Sequence, residues 1–317
     1  MGEVDDHSFN QAGWLGVKRA KVDLLAQVEY IETASLSEIS TGIEHFAEKN
    51  FDIIVTVGSS MTAITKRAAR EYPDSHFVGI EQYGFEDMRN ITGLVFPKGK
   101  AGFLAGVLAA GITETNIVGV VLPSNLWPES IEIREGFERG VHSISADTQV
   151  LSMHHPGSLF ESFSDEEWGA DAVRQMLDSG ADVILSGGGT TGNGALIEAA
   201  SQGNVFCIGF GADQWLDILE ARNCLVSSVM EDISNEVFGI IARVSFDLEE
   251  SEGHVRTGGV ELAPYHEHDK VVPIELKAVL NIVSQQRVED LIPVDGSHVH
   301  FDPSRLDPNN LMSHRHD

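Results

Sequence analysis

The sequence predicts an α/β protein made of two doubly wound lobes, each a parallel sheet with helices on both faces. Short apolar runs alternate with longer amphipathic stretches along most of the 317 residues, a pattern typical of repeated βα units. The apolar runs are continuous, as in strands that are buried on both faces. The series is too long for one compact open sheet and breaks near residues 111–116, so we expect two lobes.

Polar and acidic residues open the chain and favour a helix over residues 11–20, because they cap free N–H groups and offset the helix dipole. The remaining elements of the first lobe are predicted to be strands 27–31, 51–57, 76–80 and 91–96, and helices 36–49, 61–71 and 101–112. An opening loop of this kind normally follows a strand. We therefore expect the first strand of lobe 1 to be missing from the sequence as written, and the true start to lie upstream of Met1.

The βα pattern restarts after residue 116. The elements predicted from there are strands 117–122, 149–154, 182–185, 205–210 and 225–229, helices 130–143, 166–179, 193–201 and 233–248, a loop at 253–259, a strand at 260–263 and a helix at 273–289. We assign residues 1–113 and roughly 232–257 to lobe 1. Residues 114–231 and roughly 258–292 form lobe 2 or belong to the hinge, and 293–317 are predicted to be a disordered tail.

The charge of the chain argues against several classes of partner. Lys and Arg number 21 against 49 Asp and Glu, which gives a formal charge of −28. Such a surface repels nucleic acid and anionic membranes. No apolar run approaches the length of about 20 residues that spans a bilayer, and no secretory signal pattern is present. The two cysteines, Cys207 and Cys224, lie in apolar segments and are either buried free thiols or a single disulfide.

Three loops at predicted strand ends are candidates for ligand binding. They span residues 58–60, 186–194 and 209–214, and are rich in glycine or polar residues. Glycine lets a ligand approach the backbone closely, and free N–H groups at a following helix start attract ligand oxygens. In open parallel sheets, ligands bind beyond the carboxyl ends of the strands. The binding residues that these loops supply are predicted to be Ser59, Ser60, Gly189, Thr190, Gly211, Asp213 and Gln214.

No catalytic motif is present, and we predict neither an enzyme nor a cofactor. G-x-S-x-G, C-x-x-C and H-E-x-x-H are all absent. Among histidine pairs of the H-x-H type, His266 and His268 would share one face of a strand and are weak candidates for metal ligands. Solvated histidines are the preferred interpretation, so no metal site is predicted.

Seven motifs, taken in order, resemble the basic membrane protein family of substrate-binding lipoproteins, which includes the purine nucleoside receptor of bacterial ABC transporters. The motifs lie at residues 5–11 with Trp14 and Gly16, and at 52–58, 102–106, 136–140, 180–194, 213–214 and 227–229. The resemblance implies a fold like that of type I periplasmic binding proteins, which closes on a small ligand and delivers it to an ABC permease. It also implies an extracytoplasmic protein held at the membrane only by a lipid anchor, which this sequence does not contain.

In the nucleoside-binding members the opening loop contacts the base and an aromatic side chain stacks on it. The resemblance assigns these roles to Asp5, Asp6, Phe9 and Asn10, and to Trp14.

The family's Asp and Lys that hold the ribose are replaced here by Gly211 and Glu231. A site of this acidity should prefer a flat, neutral or cationic ligand of nucleobase or nucleoside type. The alternative is that Lys98 or Lys100 reaches the site and restores the charge balance.

Two further functions are compatible with a doubly wound fold. One is a cytoplasmic ligand sensor or regulator. The other is an enzyme with His154 or Asp213 in a catalytic role. An ABC-importer solute-binding protein remains the main hypothesis because the motif resemblance covers most of the chain.

Overall fold

A computed structural model describes residue 4 and residues 9–33, 35–85, 87–248 and 254–285. The chain divides into two compact units: residues 1–97 with 230–260 form the first unit, and 98–229 with 261–317 form the second. The predicted lobe boundaries stay a prediction, and the two divisions differ in where they place residues 98–113. No helix within the described ranges is both long enough and apolar enough to cross a bilayer.

The elements are numbered in chain order. The helices are α1 (Phe9–Asp23), α2 (Leu36–Glu48), α3 (Thr62–Glu71), α4 (Lys98–Ile112), α5 (Pro128–Ile144), α6 (Glu166–Asp178), α7 (Gly189–Gln202), α8 (Gln214–Asp217), α9 (Ile233–Ser245) and α10 (Ile274–Gln285). The strands are β1 (Ile53–Val57), β2 (His76–Ile80), β3 (Ile91–Val95), β4 (Ile117–Leu122), β5 (Gln149–His154), β6 (Val183–Ser186), β7 (Phe206–Gly211), β8 (Leu225–Glu231), β9 (His254–Thr257) and β10 (Val260–Leu262).

Both sheets confirm the predicted α/β class. The first has the strand order β1-β2-β3-β9, and each neighbouring pair in it is parallel. The second has the order β10-β8-β7-β6-β4-β5, in which β5-β4, β4-β6 and β6-β7 are parallel. Parallel strands place their carboxyl ends along one edge of a sheet, so each unit gathers its strand-end loops at one edge.

Several predicted elements differ from the structure. Residues 27–31 form no strand, because no described strand lies beside them to share backbone hydrogen bonds. The predicted loop at 253–259 contains β9, which pairs with β3. Helix α7 begins at Gly189 rather than at residue 193. The predicted tail, 293–317, lies outside the described residues.

The two cysteines form a disulfide, so the interpretation as buried free thiols is wrong. Cys207 lies in β7 and Cys224 directly precedes β8, the neighbouring strand. The Cys207 N–H donates to the Cys224 carbonyl at 2.6 Å, and the two Cα atoms are 5.0 Å apart. Strand pairing therefore brings the two thiols within bonding reach.

Removing this disulfide should destabilise the second unit. The bond closes a loop with a sequence separation of 17, for which the chain-entropy model gives about 3 kcal/mol. A variant with both Cys207→Ala and Cys224→Ala should lose about that much free energy of unfolding in urea titrations. Reduced wild-type protein is the matched control and should melt like the variant. Two free thiols in unfolded, unreduced protein would contradict the bond.

Glycines bring helices α4 and α5 into close backbone contact. A Cβ built on Gly106 would collide with the carbonyl oxygen of Phe137, and one built on Gly140 would collide with that of Phe103. The other ends of the two G-x-x-x-G motifs, Gly102 and Gly136, meet the facing helix in the same way. These two motifs, which contributed to the family resemblance, therefore have a packing role.

Adding one methyl group at this contact should destabilise the protein. Gly140→Ala forces α5 away from α4 and should lower the free energy of unfolding by about 1–3 kcal/mol. Gly239→Ala is the matched control, because Gly239 lies within α9 with nothing within 4 Å of its added Cβ. That substitution should raise stability by up to about 1 kcal/mol through helix propensity. Urea unfolding of both variants measures the difference, and equal effects would contradict the packing role.

Candidate ligand-binding site

The first unit places a polar turn at the carboxyl end of β1. Gly58 has a φ of +106°, and its N–H donates to the Ile80 carbonyl at the end of β2. Ser59 and Ser60 follow in a short 3₁₀ turn in which the Thr62 hydroxyl donates to the Ser59 carbonyl at 2.7 Å. Ser59 is half-buried and Ser60 is exposed. Both predicted binding residues thus lie at the carboxyl edge of the first sheet, and their contact with a ligand stays a prediction.

Two residues that the sequence analysis missed lie at the same edge. Glu81 follows β2 with a φ of +57° and is 7% exposed. The carboxamide nitrogen of Gln82 donates to the Thr56 hydroxyl at 3.0 Å and to the Gly58 carbonyl at 3.1 Å. Its buried oxygen Oε1 has no hydrogen-bond partner among the described residues. The sequence feature that could have identified them is an acid and an amide directly after an apolar strand, where ligand-binding residues of open parallel sheets occur.

Helix α1 passes beside this edge, because Gly13 lies against the side chains of Val57 and Ile80 at the ends of β1 and β2. Phe9 and Asn10 are half-buried in its first turn, whereas Asp5 and Asp6 lie outside the described residues. The ring of Trp14 packs on that of Tyr30, with centroids 5.1 Å apart. Trp14 thus packs inside the first unit, and its stacking on a ligand stays a prediction.

The second unit places a glycine turn between β6 and α7. Gly188 and Gly189 have φ values of +106° and +61°, which L side chains rarely adopt. Helix α7 begins at Gly189 with no side-chain cap, and its first turn carries Thr190 and Thr191. Backbone N–H groups at a helix start can donate to ligand oxygens. The hydroxyl of Ser186, buried at the end of β6, has no partner among the described residues.

The turn after β7 combines a strained glycine with a buried amide. Gly211 has a φ of +103°, so an aspartate at this position would be strained. Gln214 accepts from the Phe210 N–H at 2.9 Å and donates to the Asn193 side chain at 3.0 Å. Its own N–H donates to the Ser228 hydroxyl. These bonds give Gln214 a structural role that ties β7, β8 and α7 together.

Asp213 is engaged by a histidine from a later segment. The Nε2 atom of His266 lies 2.8 and 3.1 Å from its two carboxylate oxygens. The His266 ring stacks on Trp215 at 4.2 Å, and the guanidinium of Arg222 lies 4.0 Å from the same indole centroid. Two planar groups this close to one ring must lie on its opposite faces. His266 is therefore fixed by stacking in the position that contacts Asp213.

The two weak metal-ligand candidates have separate partners. His268 directs Nε2 to the Arg222 carbonyl at 3.1 Å, whereas His266 directs Nε2 to Asp213. Across the described ranges, no group of three or more His, Cys, Asp or Glu side chains is arranged to hold a metal ion.

A lysine lies beside the β7 turn. Lys98 is 3% exposed, and its ammonium group is 5.9 Å from the Phe210 ring centroid. Lys100 instead donates to the Ser284 carbonyl at 2.7 Å, and burial lowers its pKa. Of the two lysines considered in the sequence analysis, Lys98 is the one next to the candidate loop. Glu231, which replaces the family's lysine, ends β8 and is 5% exposed.

The groups at these edges suit recognition of a small polar molecule. Helix α7 supplies backbone donors, glycines at 188 and 211 allow close approach, and Phe210 offers an aromatic ring. His154, which the sequence analysis considered for catalysis, ends β5 with its Nδ1 atom 3.1 Å from the Pro123 carbonyl oxygen and 3.4 Å from the Ser130 hydroxyl.

Comparison with known proteins identifies the family. The family model described as "ABC transporter substrate-binding protein PnrA-like" matches residues 1–299. The chain belongs to this family. The match confirms the resemblance found in the motifs, and the family is one of substrate-binding proteins rather than enzymes.

The curated relatives of this chain are distant. The ABC transporter nucleoside-binding protein BmpA of Lactococcus lactis subsp. cremoris is 28% identical over 223 residues, which are 67% of this chain and 61% of that protein. Basic membrane protein A2 of Borrelia garinii subsp. bavariensis is 23% identical over 298 residues, which are 92% of this chain and 86% of that protein. The chain thus spans less than two thirds of BmpA.

Solved structures share the fold. An ABC-transporter solute-binding protein from Conexibacter woesei superposes with a TM-score of 0.75 at 22% identity, covering 92% of this chain and 97% of that one. A transcriptional activator of the comK gene from Bacillus halodurans gives a TM-score of 0.74 at 21% identity, covering 92% and 96%. At these identities the likeness confirms the predicted fold class and carries no conclusion about the ligand.

Proposed function

We propose that the protein is the solute-binding component of an ABC importer and that its two units close on a small, flat ligand of nucleobase or nucleoside type. The ligand is neutral or cationic, and the protein acts outside the cytoplasmic membrane and delivers it to a permease. One observation carries the proposal: in each unit, predicted binding residues follow the carboxyl ends of parallel strands, as in ligand sites of open α/β sheets.

The charges at the two edges support a ligand without phosphate. Glu81 and Glu231 are buried carboxyl groups at strand ends, and Asp213 lies in the β7 turn. Lys98 is the cation next to that turn. An acidic excess of this kind disfavours an anionic ligand and favours the N–H donors of a nucleobase. The nucleoside-binding name of the Lactococcus relative supports the same ligand class.

Calorimetry tests the ligand class and one of its residues. Adenosine or guanosine should bind at least about tenfold more tightly than its monophosphate, a difference of about 1.4 kcal/mol. Asp213→Asn should weaken nucleoside binding at least about tenfold, since hydrogen bonds to charged groups are worth about 1.5–3 kcal/mol.

Asp147→Asn is the matched control for this substitution. Asp147 is an exposed acid in the turn before β5, at the opposite edge of the same sheet. Its substitution removes the same charge as Asp213→Asn. The Asp147→Asn variant should bind the nucleoside with the same affinity as the wild type. Tighter binding of the monophosphate, or equal loss in both variants, would contradict the proposal.

A further inference from the structure

A histidine that follows β10 has a backbone conformation that side-chain-bearing residues rarely adopt. Residues 266–268 form a short 3₁₀ turn, and His266 at its start has a φ of +44°. A non-glycine residue in this left-handed region costs free energy and persists only where surrounding contacts enforce it. Such positions are frequent in binding sites, so the contacts of the His266 side chain bear on function.

The segment that carries His266 is attached to the second unit on both sides of this residue. Before it, the Ala263 N–H donates to the Ser228 carbonyl in β8 at 2.8 Å. After it, the Nε2 atom of His268 lies 3.1 Å from the Arg222 carbonyl oxygen. Other residues therefore hold the segment in place, and the His266 side chain is available for a different contact.

Stacking fixes the plane of the His266 ring. The imidazole lies 4.2 Å from the Trp215 ring, with an angle of 10° between the two planes. The guanidinium of Arg222 lies over the same indole at 4.0 Å, and its Nε atom donates to the Trp215 carbonyl at 2.7 Å. Stacking of this kind is favourable and depends on geometry. A tilt of the imidazole would break the stack, so the plane that contains both of its nitrogens is set.

The nitrogen Nε2 of this fixed ring points to Asp213. It lies 2.8 and 3.1 Å from the two carboxylate oxygens. An ionised carboxylate can only accept hydrogen bonds, so Nε2 carries the proton and donates. The side chains of His266 and Asp213 are 16% and 14% exposed. Hydrogen bonds to a charged group are stronger than neutral ones, and limited exposure reduces competition from water. The bond is therefore a firm restraint on the carboxylate.

This bond orients the Asp213 carboxylate. Asp213 occupies the N-cap position of α8, where an aspartate usually turns its carboxylate to the N–H groups of the first helical turn. It makes no capping hydrogen bond here. Across the described part of the chain, the hydrogen bonds that reach its carboxylate come from His266. An ionised carboxylate has about four lone-pair sites, so sites remain for a ligand.

We propose that His266 is a positioning residue of the ligand site. Its Nε2–H holds the Asp213 carboxylate in the orientation in which that carboxylate accepts from an N–H or O–H group of the ligand. Holding the carboxylate in advance lowers the entropy cost of ordering it on binding. This inference rests on the proposed function, because it takes Asp213 as a residue that contacts the nucleoside or nucleobase.

Calorimetry with guanosine and adenosine tests the inference on variants of His266. His266→Phe keeps a flat ring against Trp215 but removes the donor, and should weaken nucleoside binding at least about tenfold. His266→Gln and His266→Asn both lack the ring. The amide nitrogen of glutamine comes near the position of Nε2, whereas that of the shorter asparagine falls near Nδ1. His266→Gln should therefore lose less than about threefold and His266→Asn at least about tenfold. This pair tests the donor even if His266→Phe does not fold.

His268→Phe is the matched control. It changes the other histidine of the same turn, whose Nε2 atom faces the Arg222 carbonyl rather than Asp213. Because it leaves the bond between His266 and Asp213 intact, it should change nucleoside affinity by less than about twofold. Urea unfolding of both variants shows whether a loss of stability alone accounts for a loss of binding.

A double-mutant cycle shows whether His266 acts through Asp213. Asp213→Ala removes the carboxylate that His266 holds. In that background His266→Phe should weaken binding by less than about twofold further, because the effects of two residues that act through one contact are not additive. A merely structural role of His266 would give the same loss in both backgrounds.

The outcomes separate this inference from the proposed function. The inference alone is overturned if the wild type binds nucleoside and His266→Phe binds it as tightly, or if His268→Phe loses as much affinity as His266→Phe. Equal losses in His266→Gln and His266→Asn, or the same loss in the Asp213→Ala background, would also overturn it alone. No binding of either nucleoside by the wild type would contradict the proposed function and overturn the inference with it.

Discussion

The structure depends on one constraint: a strand in a parallel sheet needs hydrogen-bond partners along its edges and apolar cover on both faces. Helices supply the cover, and glycines let α4 and α5 pack closely against each other. Among the strands of the described residues, β1 has a neighbour on its β2 side only. On the other side of β1 lies a cavity of about 510 Å³.

The same constraint explains where polar and strained residues collect. Backbone groups between two paired strands are engaged with each other, so groups that are free to contact a ligand collect beyond the strand ends. Gly58, Gly188 and Gly211 adopt positive φ at those ends, and Glu81 does so without being glycine. Strain in a non-glycine residue persists where surrounding contacts enforce it, and such positions are frequent in binding sites. Substrate binding by this family is therefore an outcome of sheet geometry combined with a few polar side chains.

Much of the fold could be predicted from sequence because its signals are local. Continuous apolar runs marked most strands, and amphipathic periodicity marked α2, α5 and α6 to within a few residues. Strand β9 was missed because it is a short polar edge strand that is defined by pairing with β3. The segment 27–31 has a strand sequence, yet strand formation requires a neighbour. The β-propensity of a segment does not show whether a neighbouring strand is present.

The candidate site was predicted only in part. Glycine-rich turns indicated the strand-end loops. Side-chain contacts between residues that lie far apart in sequence could not be predicted. His266, for example, reaches Asp213 across 53 residues. Lys98 of α4, one of the two lysines that the sequence analysis considered, lies next to Phe210. Gln214 was predicted to bind ligand from its place in the 209–214 loop, and this stays a prediction. Its hydrogen bonds to Asn193 and Ser228 add a structural role that the sequence did not indicate. Such contacts depend on tertiary packing, which periodicity does not encode.

The central claim is that ligand binds at the carboxyl edges of the two sheets. Amide chemical shifts recorded during titration with guanosine or adenosine test it most directly. We expect the largest changes at residues 58–60, 187–191 and 210–213, with little change at Asp147 and Asp182 near the opposite edge of the second sheet. Changes confined to the cavity beside β1 or to that opposite edge, or none with either nucleoside, would contradict the account.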